Sequence, residues 1–241
     1  MGSHGLADVA AATLSGKGYS MSEQAFALFD FDGTMAKGDS LVPFLLYALQ
    51  KGFAPKRTIF PVAAALTGYM LRITSAAEAK GKAISFLKGK TAQEVDAFCT
   101  AFYKERLQLR IYPKARAEIA DLRSRGFTVL VVTASPAFYL DGLKRDLGVD
   151  DIIGTRVDLD ESGIYSGRLS GDNCRGLEKP LRIAEYLAAK GLLLDKDNSV
   201  AYGDSANDFP MLSLVSRPVI VNGKGKLPTL CPNARRESWR L

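Results

Sequence analysis

Asp30-Phe31-Asp32-Gly33-Thr34 follows directly on the apolar run Ala25–Phe29, and this stretch decides the fold. The run is short and rich in apolar and aromatic side chains, which is typical of a buried β-strand rather than a helix. If the strand continues to Asp32, its alternation places Asp30 and Asp32 on one side and Phe31 on the other. Gly33 then lets the chain turn. Two carboxylates at the end of one strand repel each other unless a cation or a shared proton relieves them, although Asp-Gly also occurs as a plain turn signal.

Three further stretches place polar residues at the end of a predicted strand or the start of a predicted helix. Val129–Ser135 is an apolar strand that ends in hydroxyls, Lys179 precedes Pro180 at a helix start, and Val200–Asp208 runs from a strand into an acidic turn. In this order and spacing, the four pieces resemble the four motifs of the haloacid dehalogenase (HAD) superfamily, phosphatase branch. The resemblance covers Ala25 to Val221 and points to subfamily IB, the phosphoserine-phosphatase-like group, in which a cap is inserted directly after the first motif.

The alternation of helices and strands after Lys114 predicts a parallel sheet with covering helices. We therefore predict an α/β fold, a Rossmann-like three-layer sandwich with a mostly parallel sheet and an inserted α-helical cap domain. Open sheets of this kind bind ligands beyond the carboxyl ends of their strands, and all four motifs fall there or at a helix start. The expected strands are Phe127–Val132, Ile152–Val157, Ile164–Leu169, Ser199–Gly203 and Val219–Val221, with a hairpin turn at Asp160–Gly163, and the expected helices are Pro113–Leu122, Pro136–Leu147, Pro180–Lys190 and Pro210–Leu214.

The predicted domain boundaries follow changes in pattern along the chain. Residues 1–20 are rich in Gly, Ala and Ser and are predicted to be a disordered tail or a cloning remnant. Residues 21–40 and 112–241 are predicted to form the core domain. Residues 41–111 show no alternating strand pattern and are predicted to form the cap, with helices near Leu41–Leu49, Ile59–Leu71, Ala76–Leu87 and Ala92–Leu109.

The first two cap helices are strongly apolar. Each is shorter than the roughly 20 residues that span a bilayer, and Lys51, Lys56 and Arg57 lie between them. Burial of both helices within the cap is the favoured interpretation. Peripheral contact between the cap and a membrane surface is the alternative, because an apolar helix beside a basic spacer fits an interfacial helix.

Composition narrows the classes of function. The chain has 241 residues, 47% hydrophobic and 24% charged, which is enough for one or two domains with an ample core. Cys99, Cys174 and Cys231 lack disulfide or zinc spacing, which favours a reducing, cytoplasmic location. The single histidine, His4, argues against Ser–His or Cys–His catalysis and a His-rich metal site. The net charge of +6 is dispersed, so we expect anionic small-molecule substrates and no nucleic acid, and the oligomeric state is left open.

The resemblance implies a role for each motif residue. Asp30 attacks phosphorus and becomes an aspartyl-phosphate, while Asp32 protonates the leaving alkoxide and then activates the hydrolytic water. Mg²⁺ is the implied cofactor, because a hard cation prefers oxygen ligands. The implied metal ligands are Asp30, the backbone carbonyl of Asp32, and Asp204. The residues implied to bind the phosphate or neutralise its charge are Gly33, Thr133, Ala134, Lys179 and Asn207. Asp208 is implied to support Lys179 or a metal-bound water.

Taken singly, several residues have a plainer interpretation. Lys179 alone is typical of a solvated helix start, and Ser135, just before Pro136, fits a helix N-cap with at most a supporting role. The Arg235-Arg236 pair and Trp239 indicate a solvated tail that docks one aromatic ring. The order of the motifs and their placement at strand ends favour the functional interpretation.

Three classes of function remain after these observations. A Mg²⁺-dependent phosphomonoesterase is favoured. A second class is another enzyme on the same fold: Asp32 argues against a dehalogenase, which has no leaving alkoxide to protonate, whereas a phosphotransferase or phosphomutase differs mainly in what accepts the phosphoryl group. A non-enzymatic binding module is disfavoured, because all the carboxylates and the lysine are present.

The residues that flank the motifs indicate which leaving group the substrate carries. Phosphoserine phosphatases typically carry a Glu after the first motif, an Arg on the cap and Ser-Gly-Gly at the second motif. Asp39, Lys82 and Thr133-Ala134-Ser135 stand here instead, and Lys lacks the bidentate fork of Arg. Given the apolar cap, we expect a small phosphate ester or a lysophospholipid-type phosphate as substrate and phosphoserine to be turned over no better. Phosphoserine phosphatase proper is the alternative.

Overall fold

The strand that precedes Asp30 lies at the centre of a seven-stranded sheet in the computed structural model, which describes residues 21–71 and 73–241. The prediction for residues 1–20, including His4, lies outside these residues. The strands are β1 (Ser22–Gln24), β2 (Phe26–Phe29), β3 (Thr128–Pro136), β4 (Asp151–Leu159), β5 (Tyr165–Ser170), β6 (Leu192–Leu194), β7 (Val200–Gly203), β8 (Arg217–Val221) and β9 (Arg235–Glu237).

The large sheet has the strand order β5-β4-β3-β2-β7-β8-β9, and β1 pairs with β6 in a separate two-stranded sheet. Every neighbouring pair in the large sheet is parallel except the hairpin of β4 and β5 at one edge. The predicted mostly parallel α/β sheet and the hairpin are therefore confirmed. The small sheet of β1 and β6 was not predicted.

The sheet is covered on both faces because its central strands alternate between two buried apolar clusters. In β2, Ala27 and Phe29 belong to one cluster, and Phe26 and Leu28 belong to the other. Full burial of a large apolar side chain, such as Phe or Leu, stabilises the fold by about 1.5–3 kcal/mol. This double burial explains why β2 reads as a continuous apolar run rather than as an alternating strand.

The helices lie between and around these strands. Pro113 occupies the first turn of one helix and Gly191, with φ of 66°, ends another, as helix start and stop signals predict. The helices are α1 (Leu41–Gln50), α2 (Ile59–Met70), α3 (Ala76–Ile84), α4 (Ala92–Phe102), α5 (Pro113–Ser124), α6 (Gly142–Leu147), α7 (Glu178–Lys190), α8 (Phe209–Leu212) and α9 (Leu227–Leu230). Helix α5 packs in the apolar cluster of Phe29, and α7 packs in that of Leu28.

Three predicted elements differ from the observed ones. The predicted helix from Pro136 is wrong at its start, because Pro136 ends β3 and pairs with Thr155, so that the regular helix begins only at Gly142. The long fourth cap helix is regular only to Phe102 and continues as a π-helical and a 3₁₀ turn. The Arg235-Arg236 pair lies in strand β9 rather than in an irregular tail, although both side chains are exposed and Trp239 is buried as predicted.

Helices α1 to α4 all lie within residues 41–111, where the cap was predicted. Phe44 of α1 stacks on Tyr139 with ring centroids 4.8 Å apart and meets Phe102 edge-on at 5.2 Å. These rings belong to the same apolar cluster as Phe29, so the helices share a core with the sheet. The assignment of the helices to a separate domain stays a prediction. Within the described ranges, no helix combines the length and apolar character needed to cross a bilayer.

Candidate active site

The residues of the four motifs meet at one cavity at the carboxyl end of the central strands. The cavity has a volume of about 340 Å³. Asp30 follows β2, Thr133 lies in β3, Asp204 follows β7, and Lys179 lies in the first turn of α7. The polar residues that line the cavity are Asp30, Asp32, Asp39, Lys80, Thr133, Ser135, Asn173, Arg175, Lys179, Asp204, Ser205, Asn207 and Asp208.

Asp30 is a buried carboxylate held at both oxygens. Its Oδ1 accepts a hydrogen bond from Lys179 Nζ at 2.7 Å, and its Oδ2 accepts one from Thr34 Oγ1 at 3.0 Å. Burial and the nearby charge of Asp208 raise the pKa of Asp30, and the ammonium of Lys179 opposes them. The side chain is therefore fixed in position, and its negative charge is only partly compensated by the residues around it.

Lys179 is buried rather than solvated. Its Nζ lies 2.7 Å from Asp208 Oδ1 as well as 2.7 Å from Asp30, and the side chain is 1% exposed. Burial raises the pKa of Asp208, but the charge and hydrogen bond of Lys179 and the bonds from Ser205 outweigh burial, so the pKa is lowered. Asp208 Oδ2 accepts from the Ser205 backbone N–H at 3.0 Å, which fixes the acidic turn. The plain interpretation of Lys179 as a surface residue is wrong.

Asp32 has one occupied and one unoccupied oxygen. Its Oδ2 accepts a hydrogen bond from the Ser135 hydroxyl, whereas its buried Oδ1 has no partner among the residues that the structure describes. Burial and the charge of Asp39 raise the pKa of Asp32 to about 6, against the lowering effect of the bond from Ser135. Because Ser135 lies within β3 and contacts Asp32, it is not the predicted helix N-cap.

The hydroxyl of Ser135 belongs to a buried series of hydrogen-bonded hydroxyl groups. Ser40 Oγ lies 3.2 Å from Ser135 Oγ and 3.0 Å from the Tyr139 hydroxyl. All three residues are buried, with Ser40 immediately before α1. This series of hydrogen-bonded hydroxyls orients Asp32, and the sequence motifs did not identify it.

A hard cation fits the acidic residues beside Asp30. Asp30, Asp204 and Asp208 each offer a carboxylate oxygen, and these oxygens lie within 4.8 Å of one another. Burial raises the pKa of Asp204 even though Lys224 Nζ pairs with its Oδ2 at 2.6 Å. Buried carboxylates so close together need a further positive charge, and oxygen ligands suit Mg²⁺. The fit rests on the oxygen donors of these residues and on their burial.

Gly33 provides space for the side chain of Asp204. Its φ is 90°, and a Cβ added there would lie 2.1 Å from Asp204 Oδ2. Its backbone N–H donates to the carbonyl of Ala36 at 2.8 Å, so the predicted phosphate donors near Gly33 would be the N–H groups of its neighbours. Gly33 therefore allows the first motif to approach Asp204.

The remaining predicted phosphate-binding residues lie at the cavity. Thr133 is buried, and its Oγ1 accepts a hydrogen bond from the Ser135 backbone N–H at 3.0 Å, which leaves its hydroxyl proton for another acceptor. Ala134 and Asn207 also line the cavity. The structure thus brings together the predicted residues of all four motifs.

Of the two flanking residues predicted to lie near the substrate, Asp39 lines the cavity and Lys82 does not. Asp39 lines the cavity, and its Oδ1 accepts a hydrogen bond from Val42 N–H at 3.0 Å. Lys82 is exposed and outside the cavity, whereas Lys80 is buried and lines it. Two residues turn an α-helix by about 200°, so both lysines cannot face the same side. The buried neighbours Ala79 and Ala83 were the sequence signal for the face of Lys80.

Comparisons with known proteins identify the family to which the chain is similar. The family described as haloacid dehalogenase-like hydrolase matches residues 27–213. Protein CicA of Caulobacter vibrioides is 32% identical over 195 residues, 80% of this chain and 83% of that protein. Phosphoserine phosphatase SerB1 of Mycobacterium tuberculosis is 29% identical over 221 residues, 90% of this chain and 70% of that protein.

A solved structure supports the fold independently. The structure of a protein of unknown function from Bordetella pertussis Tohama I has a TM-score of 0.79 and 24% identity, and the match covers 89% of this chain and 98% of that one. The chain belongs to the haloacid dehalogenase-like hydrolase family. Its relatives include phosphoserine phosphatases, so the predicted resemblance to that group is confirmed. The chain is an enzyme.

Proposed function

We propose that this chain is a Mg²⁺-dependent phosphomonoester hydrolase that works through an aspartyl-phosphate at Asp30. The observation that carries the proposal is the pairing of two carboxylates in one cavity. Asp30 is fixed by Lys179 at 2.7 Å, and Asp32 presents a buried oxygen without a partner in the described ranges. A held nucleophile beside an acid with a raised pKa is the arrangement that nucleophilic and general acid–base catalysis require.

In the first step, a carboxylate oxygen of Asp30 forms a bond to phosphorus while the bond from phosphorus to the leaving oxygen breaks. Asp32 donates its proton to that oxygen, which departs as an alcohol. A pKa of about 6 leaves a protonated fraction of Asp32 near neutral pH. The unpartnered Oδ1 of Asp32 is the atom we assign to this transfer.

In the second step, the carboxylate of Asp32 takes a proton from a water molecule that attacks phosphorus. The bond between phosphorus and Asp30 breaks, inorganic phosphate leaves, and Asp30 is regenerated as a carboxylate. Asp32 ends the cycle protonated, as it began. The same residue therefore acts first as an acid and then as a base.

The phosphoryl group needs positive charge and donors around it. We assign Mg²⁺ to Asp30, Asp204 and the backbone carbonyl of Asp32, where it would supply charge neutralisation for the phosphoryl oxygens. Lys179 supplies a second charge, and Asp208 keeps Lys179 in place. Donors from Thr133, Ala134 and Asn207, which line the cavity, complete the phosphate site.

The leaving group is proposed to be that of a small phosphate ester or a lysophospholipid-type phosphate. The cap side of the cavity supports this, because it is lined by apolar residues: Leu41, Val42, Leu45, Val62, Ala76, Ala79 and Ala83. Of the three departures from the phosphoserine phosphatase pattern, Lys82 lies outside the cavity, whereas Asp39 and Thr133-Ala134-Ser135 line it. Phosphoserine therefore stays an alternative substrate to be measured beside the others. We also propose a cytoplasmic location, supported by the free cysteines Cys99, Cys174 and Cys231.

Peripheral membrane contact is a further part of the proposal. Ile59 and Phe60 at the start of α2 are exposed, with Phe60 78% exposed, and so are Leu71 and Ile73 just after its end. Lys56 and Arg57 precede α2. Apolar side chains beside cations suit an anionic bilayer surface. The wild type should sediment with anionic vesicles, and the Phe60→Asp variant should stay in the supernatant. The control Leu109→Asp, at an exposed leucine elsewhere in residues 41–111, should sediment like the wild type. Equal sedimentation of all three would remove membrane contact from the proposal.

The catalytic proposal is tested by the fate of Asp30. Asp30→Asn keeps the shape of the side chain, so turnover of p-nitrophenyl phosphate should fall by several orders of magnitude while the protein stays folded. The control Asp158→Asn, at an exposed position, should leave turnover unchanged. Acid quenching during turnover followed by borohydride reduction should convert position 30 to homoserine, detected by peptide mass. Appreciable turnover by Asp30→Asn, or no reduced residue at position 30, would contradict the covalent mechanism.

A further inference from the structure

A lysine outside the four motifs pairs with one of the acidic residues assigned to Mg²⁺. Lys224 lies in the loop between β8 and α9, and its Nζ is 2.6 Å from Asp204 Oδ2. Its backbone N–H donates to the carbonyl of Asp204 at 2.7 Å. The ammonium also lies against the first motif, since a Cβ added to Gly33 would be 2.9 Å from Nζ. The Lys224 side chain is 62% exposed, so it reaches the buried carboxylate of Asp204 from the solvent.

The loop that carries Lys224 is fixed in place. Asn222 has a φ of 49°, in the left-handed region that asparagine adopts more readily than most other residues. Its Oδ1 accepts a hydrogen bond from Trp239 N–H at 2.9 Å, and its own N–H donates to the Glu237 carbonyl at 2.9 Å. Because Trp239 is buried, these contacts anchor the loop to the core. The path of the backbone therefore brings Lys224 to Asp204.

Lys224 changes the balance of charge where the metal is assigned. The carboxylates of Asp30, Asp204 and Asp208 offer oxygens within 4.8 Å of one another. Lys179 pairs with Asp30 and Asp208, and Lys224 supplies the second ammonium by pairing with Asp204. With the carboxylates ionised, three negative and two positive charges leave one net negative charge in this group. Without Lys224 the group would carry two, and it would attract a divalent cation more strongly.

We propose that Lys224 is an internal cation that competes with Mg²⁺ for the charge of Asp204 and so keeps the affinity of the site for the metal low. This inference rests on the proposed Mg²⁺-dependent function and concerns the loading of its metal site. Lys224 acts through Asp204 and not on the substrate, since it does not line the cavity. A lysine that only held Asp204 in position would have the opposite effect, because its loss would weaken the binding of Mg²⁺.

Calorimetric titration of Mg²⁺ into the metal-free protein tests this competition without turnover. Lys224→Met should bind Mg²⁺ about tenfold more tightly than the wild type, which corresponds to about 1.4 kcal/mol. The gain should shrink at high ionic strength, because salt screens an exposed charge. Lys224→Arg keeps the charge and should bind like the wild type. So should the matched control Lys226→Met, at an exposed lysine of the same loop. Equal or weaker binding by Lys224→Met would overturn the proposal.

Thermal unfolding gives a second comparison that a structural role would not reproduce. In EDTA, Lys224→Met should melt about 2–4 °C below the wild type, because the buried carboxylate of Asp204 loses its counter-charge. In excess Mg²⁺ this deficit should disappear, since a ligand gives more stability to the protein that binds it more tightly. A deficit of the same size in both conditions would show that Lys224 only holds the loop, and the proposal would fail.

The Asp204→Asn variant separates this inference from the proposed function. If the wild type binds Mg²⁺ and Asp204→Asn does not, the metal assignment holds, and Lys224→Met alone decides the inference. If Lys224→Met binds Mg²⁺ measurably and the wild type does not, the competition by Lys224 stands. If neither protein binds Mg²⁺, the metal assignment of the proposed function fails and the inference fails with it.

Discussion

Replacing Gly33 with alanine should separate two effects that a glycine can have, because a second glycine provides a matched control. Gly33 has a φ of 90°, and Gly126 has a φ of 82°. Alanine at either position is strained by about 1–2 kcal/mol, since a Cβ disfavours positive φ. At Gly126 the new Cβ would have no atom within 4 Å, whereas at Gly33 it would lie 2.1 Å from Asp204 Oδ2.

The difference between the two variants therefore measures the contact with Asp204. Asp204 is buried and pairs with Lys224 at 2.6 Å, and the added Cβ would also lie 2.9 Å from Lys224 Nζ, so both members of the pair must shift. Overpacking of this kind costs about 1–3 kcal/mol beyond the backbone strain. Urea denaturation should show Gly126→Ala destabilised by the strain alone and Gly33→Ala destabilised by the sum.

The displaced carboxylate should also alter metal binding and turnover. Misplacement of a catalytic group by about 1 Å can lower the rate about a hundredfold, so Gly33→Ala should lose about two orders of magnitude in kcat/KM and bind Mg²⁺ more weakly in calorimetry. Gly126→Ala should match the wild type in both measurements. Equal stability and equal Mg²⁺ affinity of the two variants would refute the close approach of Gly33 to Asp204.

Two other outcomes are expected. EDTA should abolish turnover and Mg²⁺ restore it, whereas Ca²⁺ should inhibit because its looser coordination misplaces the nucleophile; full turnover in excess chelator would exclude the metal. Trp239→Ala should destabilise the protein by about 3–5 kcal/mol with turnover retained, as Trp239 is 2% exposed, whereas Leu241→Ala, at a residue 61% exposed, should leave the melting temperature unchanged.

The sheet and the motif residues were predictable because their signals are local. A short apolar run buried on both faces identifies β2, and polar residues at strand ends must meet at one edge of a parallel sheet. The environment of Ser135 was not local. Its position before Pro136 indicates an N-cap, but the pairing of Pro136 with Thr155 extends β3 and brings Ser135 to Asp32.

The choice between Lys80 and Lys82 shows the same limit on the cap. Spacing from the first motif does not say which face of α3 turns toward the cavity, whereas the buried Ala79, Ala83 and Ile84 do. The pairing of β9 with β8 also joins segments that no sequence pattern connects. Long-range pairing and helix orientation thus account for the errors, and the charged residues of the four motifs are unaffected by them.

The hydroxyl chain from Tyr139 through Ser40 to Ser135 makes the general acid dependent on the cap segment. Ser40 lies at the entrance to α1, and Tyr139 stacks on Phe44 of the same helix. A shift of α1 away from the sheet would remove Ser40 from Ser135 and let water reach the buried oxygen of Asp32. Hydration of that oxygen would remove the burial that raises the pKa of Asp32. The protonated fraction of Asp32 near neutral pH would then fall further, so the position of one helix sets how much of the enzyme carries a protonated general acid.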